Sequence, residues 1–124
     1  METGPQRQNT RAYFRATVSI STRYSLDGRH GLLPGRIDDI SGGGVKLVTE
    51  EGLPVNAALT LRFSLPDSGE SIDARGRVVL TYRDSPRGRY AHGVTFTAID
   101  AAQRELIVRY VHRLHLQRLQ EGRK

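Results

Sequence analysis

Asp39 and Ser41 are the side chains in this sequence with the clearest chemical use. They sit two apart and are followed at once by Gly42, Gly43 and Gly44. In an extended chain, residues two apart point the same way, so a carboxylate and a hydroxyl share one side of the bend. A carboxylate can accept two N–H donors together, as the edge of a planar base offers them, and a hydroxyl can donate to an anion. Backbone N–H groups in a glycine-rich turn also point at anions, and glycine lets a chain turn sharply or come close to a ligand. The same residue types build ordinary hairpin corners, so this stretch alone leaves both readings open.

Arg7, Arg11 and Arg15 precede it at intervals of four. Guanidinium is a planar fork of donors that fits phosphate, and its flat face stacks on aromatic rings. On a helix the three would share one face. From Ala16 onward, however, Ala16, Val18 and Ile20 alternate with Thr17, Ser19 and Ser21, the mark of a half-buried strand. Residues 1–10 contain no apolar residue beyond Met1 and include Gly4 and Pro5. They are expected to form a flexible basic arm, with Tyr13 and Phe14 anchoring its end against the domain at 11–121.

The elements that must position these groups follow in order. Asp27-Gly28 signals a turn. Leu32 to Ile40 reads as a weaker strand interrupted by Pro34-Gly35, and Val45 to Val48 as the next. Leu59, Leu61, Phe63 and Leu65 alternate cleanly with polar residues. Ile72, Ala74, Gly76, Val78, Leu80 and Tyr82 give a long alternating strand, with Gly76 marking a bulge or bend. Tyr90 to Ala98 is the last strand. Asp100 then caps a helix, with Gln103 at the reach-back position of a capping box. Leu106, Ile107, Tyr110, Val111 and Leu114 form one apolar stripe on it; Leu116 and Leu119 fall off the stripe. Six strands and one helix predict an all-β fold: a six-stranded antiparallel barrel with a C-terminal helix docked on it.

Composition removes several function classes. The chain has 124 residues, enough for one domain. Cysteine is absent, which excludes a disulfide framework, a thiolate metal site and a cysteine nucleophile, and suits the cytoplasm. No apolar run reaches the length of a membrane span, and the start of the chain has no apolar region of the secretory kind. The net charge of +6 comes from 19 basic residues, seventeen of them arginine, interleaved with 13 acidic ones. Such a surface attracts nucleic acid, acidic lipid or a phosphorylated small molecule without choosing among them. No Gly-x-Ser-x-Gly elbow, Walker loop or dinucleotide fingerprint occurs. Asp38 and Asp39 are adjacent, and strict alternation would send them to opposite faces rather than make an acid–base pair. His112 and His115 are three apart on the helix but have no carboxylate beside them in sequence. The expectation is a binding protein, not an enzyme, with no metal and no cofactor.

Arg11-x-x-x-Arg15 followed some two dozen residues later by Asp39-x-Ser41-x-x-Gly44 resembles the two motifs of the PilZ domain family, in that family's order and spacing. The run Gly93-Val94-Thr95-Phe96 and the helix opened by Ile99-Asp100 are similar to its last strand and C-terminal helix. The likeness extends from about Arg7 to about Leu119. It implies a receptor for the bacterial second messenger cyclic di-GMP. On that resemblance, Arg11 and Arg15 clamp phosphates and stack on guanines, Asp39 accepts from the guanine edge, Ser41 approaches a phosphate and Gly44 keeps the turn open. Arg7 and Gly43 complete the expected ligand-binding set. Thr10 stands where many members carry a further arginine, which leaves open whether one ligand or an intercalated pair binds. The implied output is a downstream protein partner that reads the ordering of the arm. Two other readings stand beside it: a ligand-independent adaptor on the same fold, and a small basic barrel binding single-stranded nucleic acid. The last expects aromatics along the strands, and only Tyr82 and Tyr90 are candidates.

Overall fold

The computed structural model describes residues 13–29 and 31–122. Arg7 and Arg11, and with them the expected arm, lie outside the described residues. Six antiparallel strands are followed by one helix: β1 (Arg15–Leu26), β2 (Leu33–Ser41), β3 (Gly44–Thr49), β4 (Ala58–Ser64), β5 (Ser71–Arg83), β6 (Tyr90–Ile99) and α1 (Ala101–Glu121). The strands close into a barrel in the order β1, β2, β3, β6, β5, β4. This is the expected fold class. β1 runs further than Ser21 because Thr22, Tyr24 and Leu26 keep the inward alternation.

The interior is aliphatic. Ile37, Ile40, Leu47, Leu59, Leu61, Ile72 and Val78 are fully buried, each contributing about 1.5–3 kcal/mol relative to an exposed side chain. Ile107, Tyr110 and Val111 bring the helix stripe into the same core, with Leu106 and Leu114 packed at its margin. Asp100 caps the helix, its carboxylate accepting from Ala102 N–H at 2.7 Å. Gln103 does not complete a capping box. Its amide oxygen accepts instead from Asp73 N–H at 2.8 Å. The β5–β6 ladder begins at Ala74 opposite Ile99, so the preceding β5 residue needs an acceptor from elsewhere.

Two irregularities alter which side chains face outward. Ile37 and Ile40 are both fully buried although three apart. A register shift between Ile37 and Asp39 absorbs the extra residue, leaving Asp38 and Asp39 both outside the core rather than on opposite faces. In β5 the ladder shifts at Arg75/Gly76 and again at Val78/Leu80. The first is the expected irregularity at Gly76, where a Cβ would lie 2.6 Å from Val94 Cγ1. The second turns Leu80 and Tyr82 outward, to 54% and 41% exposure.

His92 on β6 is fully buried. Its Nδ1 lies 2.9 Å from the Leu47 carbonyl, and its Nε2 accepts from Leu53 N–H at 2.9 Å. This fixes a neutral tautomer with the proton on Nδ1. Thr81 Oγ1 donates to Leu53 O at 2.7 Å, so the segment joining β3 to β4 is pinned to the barrel by two side chains. Among the described residues no helix is long and apolar enough to cross a membrane.

Candidate functional site

The strand register assembles the motif residues. Arg15, the first residue of β1, pairs with Ser41 at the end of β2. Ser41 pairs with Gly44, and Gly44 with Thr95 on β6. The neighbouring row is Thr17, Asp39, Lys46 and Gly93. Cross-strand partners share a face and stand close enough to interact. Arg15, Asp39 and Lys46 therefore project around a stretch of sheet carrying Ser41, Gly44 and Gly93, with Thr17 and Thr95 at its edges.

The charged groups at this place are under-committed. Arg15 Nε is 4.0 Å from Asp39 Oδ1, an ion pair without a hydrogen bond. Asp39 Oδ1 is buried and has no hydrogen-bond partner among the described residues. A buried acceptor of this kind calls for an explanation. Its neighbour shows the contrast. Asp38 takes both nitrogens of a fork from Arg36, with Nη2 to Oδ2 at 3.0 Å. The Arg36 hydrogen bond holds the Asp38 carboxyl below the usual carboxylate range, against a smaller opposing effect of burial. Lys46 Nζ lies 5.9 Å from the centre of the Tyr82 ring.

The glycine turn is built by close approach rather than by left-handed backbone. Positive φ among the described glycines occurs at Gly28, Gly31 and Gly69, not in this turn. At Gly44 a Cβ would collide with the Val94 carbonyl oxygen, so its bare backbone lets β3 lie tight against β6. Ser41 is fully buried. Its Oγ accepts from Gly43 N–H at 3.0 Å and points back to Gly44 O at 3.5 Å. Gly43 O accepts from Phe96 N–H at 2.9 Å. Among the described residues no three His, Cys, Asp or Glu side chains gather as a metal site. His115 instead lies with Nε2 2.8 Å from the Arg15 carbonyl.

The family model for the PilZ domain matches residues 6–113. The chain belongs to the PilZ domain family. Solved PilZ-like structures are similar in fold at low identity. Bacillus subtilis MotI/DgrA, described as an inhibitor of motility, superposes with a TM-score of 0.75 at 17% identity, over 94% of this chain and 53% of that one. The PilZ domain of YcgR from Escherichia coli, solved with c-di-GMP, gives 0.69 at 13% identity, over 90% and 96%. Borreliella burgdorferi PlzA, in complex with c-di-GMP, gives 0.62 at 18%, over 86% and 43%. The chain thus spans about half the length of MotI/DgrA and less than half of PlzA. No curated protein sequence matches it.

In this PilZ barrel Arg15, Asp39, Ser41, Gly43 and Gly44 come together, while Arg7 and Arg11 fall outside the described residues. Lys46 lies outside both motifs. Its place two residues beyond Gly44, on the same face of a strand, sets it beside Asp39. Tyr13 does anchor the start of the fold, its hydroxyl accepting from Arg104 at 3.3 Å. Phe14 does not: it is 77% exposed, its ring T-shaped to that of His115 with centroids 5.9 Å apart. A groove of about 650 Å³ lined by Tyr13, Phe14, Val108, Val111 and His112 contains none of Arg15, Asp39 and Ser41.

Proposed function

We propose that this PilZ domain is a cyclic di-GMP receptor whose ligand lies over Arg15, Asp39 and Lys46, with Ser41, Gly43 and Gly44 shaping the floor and Arg7 and Arg11 closing from the arm. The observation that carries the reading is the Arg15–Ser41 register, which brings one motif beside the other, next to an Asp39 carboxylate oxygen that has no donor among the described residues. The N1–H and N2–H₂ edge of guanine supplies such donors, and a ligand with two phosphates supplies anions for guanidinium groups. The output is contact with a downstream protein partner when the arm orders over the bound ligand.

A single-stranded nucleic acid reading has less support. Many surface arginines are already paired with carboxylates, as in Arg62–Asp73 and Arg75–Asp27, both at 2.8 Å. Tyr90 is covered by Arg83, whose guanidinium carbon is 4.9 Å from the ring centre. The test is titration calorimetry of the full chain with cyclic di-GMP, cyclic di-AMP and a single-stranded oligonucleotide. Saturable binding of the first alone supports the proposal. Preference for the oligonucleotide, or no heat with any of the three, overturns it, and the latter favours the adaptor role.

A further inference from the structure

Tyr13 is the middle residue of Arg11-x-x-x-Arg15, and it docks on the glycine turn of the other motif. A Cβ at Gly42 would lie 2.7 Å from Tyr13 Cδ1 and 2.9 Å from Val108 Cγ2, so the tyrosine ring rests where any side chain at residue 42 would be. Arg104 on α1 fastens this contact from above. Its Nη1 donates to Gly42 O at 3.0 Å and to the Tyr13 hydroxyl at 3.3 Å, and its guanidinium carbon is 5.5 Å from the Tyr13 ring centre. Further along the helix, His115 reaches the Arg15 carbonyl and Arg118 Nη2 donates to Thr17 O at 2.7 Å. Neither motif pattern includes Tyr13, Arg104 or Arg118.

Arg15 is the first residue of its strand, and strand ends open locally at little cost. A guanidinium that must meet a phosphate within a hydrogen-bond length needs that end held still. Positioning of this kind decides how much of an interaction is realised on binding. We infer that Arg104 is a positioning residue for the ligand site: by tying Tyr13 to Gly42 it locks the first motif onto the second and sets where Arg15 stands relative to Asp39. The ligand named here rests on the cyclic di-GMP reading above; the clamp itself does not.

The test compares the native chain with Arg104→Met, which keeps most of the stem and removes the donors, with Arg104→Lys, and with Tyr13→Phe, which removes only the hydroxyl. Amide exchange over residues 13–17 is measured without ligand, and cyclic di-GMP affinity by calorimetry. Arg104→Met is expected to speed exchange across 13–17 and to weaken affinity about tenfold, the scale of a lost hydrogen bond to a charged group. Arg104→Lys should recover part of both, and Arg104→Met should add little on an Arg15→Ala background. Unchanged exchange in both Arg104→Met and Tyr13→Phe overturns the clamp. Faster exchange with unchanged affinity overturns the positioning role. A native protein that binds no cyclic di-GMP rejects the ligand reading instead, and the exchange comparison then decides the clamp by itself.

Discussion

Asp38 and Asp39 are consecutive and both lie outside the barrel core, yet they differ in what they do there. Asp38 is bound by the Arg36 fork, while Asp39 Oδ1 is buried with Arg15 Nε at 4.0 Å and no hydrogen bond among the described residues. One carboxylate is structural. The other stands beside a cation, and on the proposed reading a bound ligand supplies its donors.

Arg15→Ala is expected to reduce cyclic di-GMP affinity by about 1.5–3 kcal/mol, the scale of a hydrogen bond to a charged group, and to leave stability within about 1 kcal/mol. At 4.0 Å, and with the Arg15 side chain half-exposed, the pair with Asp39 is weak, and the Arg15 carbonyl that His115 reaches belongs to the backbone. Calorimetry paired with a thermal melt checks both halves.

Asp39→Asn should erase the preference for cyclic di-GMP over cyclic di-AMP. An ionised carboxylate accepts from N1–H and N2–H₂ together, and adenine lacks that donor pair. The comparison is four titrations, each dinucleotide against each protein. A native chain that binds the two equally would show that Asp39 reads no base edge.

Gly44→Ala should destabilise the fold by about 1–3 kcal/mol, as overpacking does, because the new Cβ meets the Val94 carbonyl and not a flexible side chain. Gly93→Ala is the control. There a Cβ would find Val79 Cγ2 at 3.5 Å and Leu80 Cβ at 3.6 Å, ordinary contacts, so its melt should hardly move. Urea unfolding of the two variants distinguishes them.

His92 should make the domain acid-sensitive. Burial lowers its pKa below 6.5, only partly offset by the hydrogen bond to Leu47. Protonating Nε2 would also remove the acceptor for Leu53 N–H. The folded state prefers neutral imidazole, so this stability is full above pH 6.5. It is lost as pH falls from 6.5 to the lower folded value, where the unfolded chain takes up the proton first. The slope for one proton is about 1.4 kcal/mol per pH unit. Stability measured from pH 8 to 5 should fall in the native chain. His92→Gln should be less stable at pH 8, with a flatter dependence through the 6.5 region.

Alternation made most of the barrel legible, because Leu59, Leu61 and Phe63 or Ala16 and Ile20 announce an inward face whatever surrounds them. It failed where a strand gains a residue. The irregularities at Asp38 and near Val79 reset the period, and nothing in the composition at either place marks them. Simple alternation puts Leu80 and Tyr82 in one row with Ile72, Ala74 and Val78, yet those three are buried and Leu80 and Tyr82 are exposed. Gln103 looked like half of a capping box because its competing donor, Asp73 N–H, is thirty residues away in sequence. The site was legible as two motifs but not as one surface. That Arg15 faces Ser41, or that Lys46 stands beside Asp39, depends on registers between strands, and a single chain carries those only implicitly.

The proposed recognition surface is drawn from strands as distant in sequence as β1 and β6, and it exists only while their registers hold. A slip of one residue in β2 would carry Asp39 and Ser41 to the inside and Ile40 to the outside. No fragment of the chain can present it. Cyclic di-GMP, if it binds there, therefore acts as a witness to complete folding: it adds RT ln(1 + [L]/Kd) to the stability of the whole barrel and nothing to any partly assembled form. Intact receptor and ligand level would then be linked before any partner is touched.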